Sequence, residues 1–470
     1  MHILLPTGAQ TAEIVRKAAE CLDADVVVTG EIASFLTPAH LASLLEKGIY
    51  DMVLVSGMCT ASFEQVEEKT GVPVYRGPKH AADLHWILPL LGKVELSRRV
   101  PADEYLAATR KAEAMRDLKR LESEAEAEII MRGLKIGGNS RMKVLVEVMD
   151  AHRVQDLRGV VERHFGNGAD IVDLGFGFDA TPEDVRRSLL SLEGIDRPLA
   201  IDTLDPALIR AGIFRADLVL SLCEENIGEV GPLLAEHGTA AVVIPKGRNL
   251  AENLDAARRC GVECLIADPI LMPAGSGLLR SLRKFEDLGY PTFFGAGNVV
   301  ELLDADSIGM NGLLASIAME AGASVIFTSE HSDKTHGSVA EMRRAAEMMQ
   351  LTRERPYPKD LGIDLLVLKE KRRRREPPLH YTTSMQAQPA PREIEYDPRG
   401  NFRIGIEGKE IVAVIDGKAV RGNRWNDVFH TILKNGDVSL LDHAAYLGAE
   451  LFKAELAIRF GRSYEQDGPF

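Results

Sequence analysis

The sequence predicts an α/β protein: a central (β/α)8 TIM-type barrel, preceded by an open parallel-sheet (Rossmann-like) domain and followed by a small α+β domain. Three observations carry that prediction. Short apolar runs alternate with helical patterns along most of the chain, as expected of buried parallel strands separated by helices. In the middle of the chain eight such runs start 18 to 32 residues apart, room for one strand, one helix and two short loops. The chain has 470 residues, 45% of them hydrophobic and 27% charged, enough for about three globular domains.

In residues 1–97 the strand candidates are His2–Pro6, Asp25–Thr29, Asp51–Ser56 and Val72–Tyr75, with helical segments at Pro38–Lys47 and Ser62–Thr70. Their strands end in small residues, Pro6-Thr7-Gly8, Thr29-Gly30 and Ser56-Gly57, where ligands of open α/β sheets bind. No Gly-x-Gly-x-x-Gly follows the first strand, which argues against a dinucleotide. Residues 98–141 read as a helical linker, with a helix over 102–132 that meets no Gly or Pro before Gly133. The barrel occupies 142–352, its strands starting near Lys143, Asp170, Pro198, Ala216, Ala240, Val262, Pro291 and Ala323. An open doubly wound sheet is the competing arrangement. A basic, Pro-rich linker follows over 353–394, with the run Lys369–Arg375 as a solvated edge. Residues 395–470 form the last domain, with a hairpin of Asn401–Ile406 and Glu410–Ile415 and a helix over His443–Phe460.

The net charge is −14, from 56 basic and 70 acidic residues. Nucleic acid and anionic membrane are therefore not expected partners, and an anionic ligand must be met by local basic groups. The N-terminus has neither a basic n-region nor an apolar stretch, so a cytoplasmic protein is expected. Five scattered cysteines (Cys21, Cys59, Cys223, Cys260, Cys264) suit buried structural thiols better than disulfides or a zinc site, and no metal site is expected from the protein alone.

Reacting groups of a barrel come from the carboxyl ends of its strands. The strand-end candidates are Glu147, Asp150, His152 and Arg153; Asp173 and Asp179, among Gly175 and Gly177; Asp202; Ser221, Glu224, Glu225 and Asn226; Lys246 and Arg248; Asp268; Asn298 after Gly295 and Gly297; and Glu330, His331, Lys334 and His336. Several inward carboxylates suit a polar heterocycle with N–H donors along one edge, while Lys, Arg and His hold an anionic group. Asp202 and Asp268 stand out because each ends an apolar run. The plain alternative is a helix N-cap, and Asp268-Pro269 fits that equally well. The glycine stretches would let backbone approach a ligand, though tight turns also use glycine. His331 and Lys334 suit a phosphoryl group, against a solvated loop. No His-Glu-x-x-His, Gly-x-Ser-x-Gly or Walker lysine loop occurs.

Ile171-Val-Asp-Leu-Gly175, Ile201-Asp-Thr203 and Asp268-Pro269 resemble motifs of the pterin-binding barrels, the dihydropteroate synthases and pterin-dependent methyltransferases, over about 142–340. Ser56–Thr60, Ser329–His336 and Tyr464–Phe470 extend the resemblance to the dihydropteroate synthase-related proteins of tetrahydromethanopterin-making organisms, over nearly the whole chain. The resemblance implies a transferase that condenses a dihydropterin-6-methyl diphosphate with an arylamine, a ribofuranosyl aminobenzene phosphate. Asp202 and Asp268 would contact the pterin and, with His331 and Lys334, form the catalytic set. Asp173, Asp150, Ser221, Asn226, Lys246, Arg248, Asn298, His152 and Arg153 would line the substrates. Pterin enters as substrate or ligand rather than as a certain cofactor, and Mg2+ enters only with a diphosphate substrate. A homodimer through the barrel is left open. The chain departs from the synthase pattern at Val148–His152, Ser221 and Gly297-Asn298, so pterin binding survives better than diphosphate displacement. Asn298 is closer to the methyltransferases, although no Asp-x-His-x-x-Gly corrinoid loop appears. A non-catalytic pterin-binding or assembly protein is the remaining alternative.

Overall fold

The computed structural model describes residues 1–286, 288–353, 358–359, 361–369, 381–389 and 395–468. Two compact units divide the chain at Pro378/Leu379. Of the basic run, all but Lys369 lies outside the described residues.

The first unit opens with four parallel strands, Ile3–Thr7, Ala24–Val28, Met52–Val55 and Val74–Arg76, in spatial order 2-1-3-4. Next comes a helix over Ala102–Glu124, shorter than the sequence pattern implies. The remainder of that pattern is a hairpin of Ile129–Met131 and Leu134–Ile136. Its two-residue turn has Arg132 at φ 45° and Gly133 at φ 78°, both left-handed, as tight hairpin twist requires. Apolar residues outweighed helix propensity here because they have somewhere to go. Ile129, Met131 and Ile136 pack among lumen residues such as Leu145, Ile171, Leu218 and Phe293, so the hairpin stoppers the amino end of the barrel.

The barrel strands are Lys143–Val148, Ile171–Gly175, Leu199–Asp202, Leu218–Leu222, Ala240–Val243, Leu265–Ala267, Phe293–Phe294 and Val325–Ser329, hereafter one to eight. Strands one to six pair in sequence, strand eight pairs with one, and seven with eight. A parallel bridge between Ala267 and Thr292 joins six to seven and closes the ring, which excludes the open sheet. Side chains alternate about each strand. In strand one, Val144, Val146 and Val148 face the outer helices while Leu145 faces the lumen.

One buried ionic knot fastens the barrel's amino end. The Arg141 guanidinium donates to both Asp170 oxygens at 2.8 and 3.0 Å, Arg343 donates at 3.0 Å, and the Val144 N–H adds a bond at 2.9 Å. Burial alone would push Asp170 up, but the two arginines outweigh it and hold the carboxyl at about 2. Beside it, fully buried Lys143 donates to Glu122 at 2.9 Å, pinning the long helix to strand one. Burial, reinforced by Arg141, lowers that lysine to about 8.

The second unit is a three-stranded antiparallel sheet, Arg403–Glu407, Glu410–Ile415 and Lys418–Gly422, with helices Trp425–Asn435 and Leu441–Phe460. Asp397 accepts from the N–H groups of Arg399, Ser439 and Leu440 and from His443, which fixes the entry to the last helix. Of the five cysteines, Cys59 and Cys223 are buried as expected, Cys260 and Cys264 are half-buried, and Cys21 is exposed. No described helix is long and apolar enough to cross a membrane.

Asp170→Asn strands the Arg141 charge in the interior, so unfolding in urea should show a loss of about 3–5 kcal/mol. Because Asp170 is depressed when folded, its contribution is full above about pH 4 and fades as pH falls towards about 2.

Candidate functional site: a carboxylate-lined barrel mouth

The same two-residue alternation that fills the lumen builds the site. Two positions past inward Leu145, Ile171, Ala200 and Ile266 stand Glu147, Asp173, Asp202 and Asp268. Register sets the first two side by side, since Glu147 and Asp173 are direct partners between strands one and two. Carboxylate oxygens of Glu147, Asp173 and Asp202 all lie within 4.8 Å of one another.

Such crowding is unfavourable to charge. Burial, with the charges of Asp202 and Asp150, pushes Glu147 up to about 7. Burial raises Asp268 to about 7 against the pull of the Ile270 N–H. Asp202 is raised by burial and eased by Ser221, whose hydroxyl donates to it at 3.0 Å. Asp173 is raised most decisively, by burial and then by Asp202 and Glu147. Its side chain is 1% exposed, and neither oxygen has a hydrogen-bond partner. Buried polar atoms left unpaired are costly, so this layer is poised for a ligand that brings donors or positive charge.

The surrounding backbone is shaped for the cluster. Asp150 (φ 45°), Ser221 (φ 75°) and Ile270 (φ 64°) all take left-handed conformations at or just beyond the ends of strands one, four and six. A Cβ on Gly175 would sit 2.6 Å from Glu147 Oε1, and one on Gly177 would sit 2.6 Å from Asp150 Oδ1. They make room for carboxylates, while Gly297 lies against the Phe327 ring. The capping alternative also falls away. Asp205, not Asp202, caps the helix Pro206–Gly212, and Asp268 accepts from Ile270 N at 2.8 Å with no helix until Leu278.

The remaining predicted residues separate into three groups. Asn226 is fully engaged with backbone, accepting from Cys223 N and donating to the Leu204 and Ser221 carbonyls, so it braces the loop. His152 is buried beside Phe176 with neither ring nitrogen hydrogen-bonded, and its Nε2 stands 3.6 Å from Asp179. The basic groups sit on the loops, mostly already paired. Arg153 binds Asp179, Lys246 binds Glu225 at 2.6 Å, and Lys334 binds Asp304 at 3.1 Å and the Leu303 carbonyl at 3.0 Å. Arg248 and His331 are exposed on the loops after strands five and eight, and Asn298 is exposed in the short helix Gly297–Val300 after strand seven.

Two carboxylates merited more weight than the sequence alone gave them. Glu147 is a strand-end candidate, but its place beside Asp173 follows from register. Glu301 accepts from Ser329, Ser332, Thr335 and the His331 N–H, and so shapes the whole loop after strand eight. Burial opposes its charge, yet these donors hold it at about 2. Met149 and Phe178, on the loops after strands one and two, and Met272, after strand six, are exposed and supply an apolar rim.

A carboxyl raised on folding favours the fold fully below its unfolded value near pH 4 and stops doing so as pH rises through about 7. Glu147→Gln and Asp268→Asn should therefore be more stable than the parent at pH 8 and lose that advantage by pH 4. Melting curves across this range check the sign.

Comparison with known proteins places the chain. The family described as PterinBD-DUF4346 matches residues 396–467. Dihydropteroate synthase from Thermus thermophilus, in complex with 6HMPPP, is 20% identical; the match covers 49% of this chain and 99% of that one, with a TM-score of 0.39. The Xanthomonas albilineans dihydropteroate synthase with 4-aminobenzoic acid is 18% identical, covering 49% and 100%, with a TM-score of 0.41. The uncharacterized protein MJ0107 of Methanocaldococcus jannaschii is 33% identical over 99% of this chain and 98% of its own length. The match to the family described as PterinBD-DUF4346 lies in the last domain, outside the barrel that carries the pterin-type sequence motifs. With that identity to MJ0107 along nearly its whole length, the chain belongs to the family of MJ0107.

Proposed function

We propose that the chain is a pterin-binding transferase of the dihydropteroate synthase type, joining a dihydropterin-6-methyl diphosphate to an arylamine in tetrahydromethanopterin biosynthesis. The observation that carries this reading is buried Asp173, unpartnered at both oxygens and shoulder to shoulder with Glu147 and Asp202. A pterin presents N3–H and the 2-amino group along one edge, a planar pair of donors matched to a carboxylate fork. Asp268 and Asp202, from strands six and three, supply further acceptors. Donors of this kind relieve the repulsion without bringing an ion into the lumen.

In the reaction the arylamine nitrogen attacks the pterin methylene carbon, the carbon–oxygen bond breaks, and diphosphate leaves with the electron pair. The nitrogen then sheds a proton, and a carboxylate near neutrality such as Glu147 is suited to take it. The exposed rim of Met149, Phe178 and Met272 offers apolar surface to the aryl ring. Lys334, Lys246, Arg248 and Arg153 are the cations for the two phosphate groups, exposed His331 adds a ring N–H donor beside them, and the paired ones must exchange their carboxylate partners. The arylamine in this reading is a ribofuranosyl aminobenzene phosphate, and soluble cytoplasmic operation is assumed.

Glu147, Asp173 and Asp202 also fit a divalent cation, which would supply charge to offset a diphosphate. Titration of a reduced pterin with and without Mg2+ separates the two occupants. Exposed Asn298 favours a second reading, pterin-dependent methyl transfer.

Asp173→Asn and Asp202→Asn should each weaken pterin binding about tenfold or more, the cost of one charge-assisted hydrogen bond. The parent protein given both substrates should release one diphosphate per condensed product. Binding without release, over a wide substrate range, overturns the synthase; methyl exchange with a corrinoid then identifies the methyltransferase, and its absence identifies a non-catalytic binder. No pterin binding overturns all three.

A further inference from the structure

The N-terminal sheet holds a buried positive charge that no carboxylate answers among the described residues. Arg76 ends the fourth strand and is 7% exposed. Its Nη2 donates to the Ala61 carbonyl at 2.6 Å and its Nε to the Arg98 carbonyl at 3.3 Å, while the guanidinium lies 5.6 Å from the Phe63 ring centre. Its buried Nη1 has no partner, and no carboxylate pairs with it among the described residues. A cation taken out of water without a counter-charge is among the costlier features a fold can carry.

Arg76 lines an open cavity of about 580 Å3, together with Thr60, Ser62, Phe63, Arg98 and Arg99. The two outer arginines are matched one for one by acids. Arg98 Nε lies 3.0 Å from each oxygen of Glu67, and Arg99 Nη2 lies 2.9 Å from Glu64. Three arginines against two glutamates leave one positive charge over, and it is the buried one. Hydroxyls of Thr60 and Ser62 add donors beside it, and Phe63 and Val74 add an apolar wall.

We propose that this cavity is a binding site for a phosphate monoester of a small organic molecule, with the phosphate on Arg76 and the organic part against Phe63. The phosphate dianion supplies the missing counter-charge to the guanidinium, and guanidinium forks bind phosphoryl oxygens well. The cavity volume is that of a small-molecule site rather than an ion site, since ligand pockets run to roughly 300–1,000 Å3. Its chemistry is separate from the barrel mouth: here a surplus cation awaits an anion, there surplus carboxylates await donors. The proposal does not depend on the function assigned to the barrel.

Calorimetric titration of the full chain with phenyl phosphate and with inorganic phosphate tests it. One saturable site, tighter for phenyl phosphate, is expected. Arg76→Met should weaken binding about tenfold or more. Arg99→Gln alters only an exposed side chain, so it keeps the test valid should Arg76→Met fail to fold; it should weaken binding severalfold and reduce its salt dependence. No saturable binding at millimolar ligand overturns the proposal, as does binding equal to the parent's by a folded Arg76→Met or, where that variant does not fold, by Arg99→Gln.

Discussion

Four carboxylates share one layer of a closed barrel, and they cannot all be ionised there without help. That constraint organises everything around the mouth. Glycines at 175 and 177 stand against that layer, where a Cβ would come within 2.6 Å of a carboxylate oxygen and displace it. The constraint accounts for the Ser221 hydroxyl turned onto Asp202 and for the Ile270 N–H turned onto Asp268, each drawn from a residue in a left-handed conformation. Backbone strain of this sort persists only where the surrounding structure enforces it. At the opposite end of the barrel, ions are matched rather than crowded.

The contrast between the two ends is instructive. At the amino end, Asp170 is buried and carries its charge easily because Arg141 and Arg343 flank it. At the carboxyl end, equally buried Asp173 has no such neighbour and resists ionisation. The same residue type is a fastener just ahead of strand two and an unfilled acceptor within it. Burial therefore does not distinguish structural from functional carboxylates; the partner does.

Much of this was legible in the sequence. The eight apolar runs and their spacing predict the barrel, Asp202 and Asp268 are marked by ending such runs, and Asp173 is a strand-end candidate among glycines. Partners were harder to read, because they depend on side chains brought together across the fold. Nothing local in Arg141, Asp170 or Arg343 announces that they meet, and nothing in Lys246 or Lys334 reveals that Glu225 and Asp304 already occupy them. Glu147 was visible as a strand-end residue, but its weight comes from standing beside Asp173. The hairpin over 129–136 was hidden by a helix-forming stretch before it, and the helix Trp425–Asn435 by the turn-rich strands that precede it.

The hairpin that stoppers the amino end has a kinetic meaning. A barrel closed below is a vessel with one opening, so whatever lies deepest must enter first and leave last. Two molecules that meet in this mouth cannot load in either order if one of them sits on Asp173. Under the proposed transferase reading, with the pterin on Asp173, loading would follow a compulsory sequence in which the outer molecule acts as a latch on the inner one.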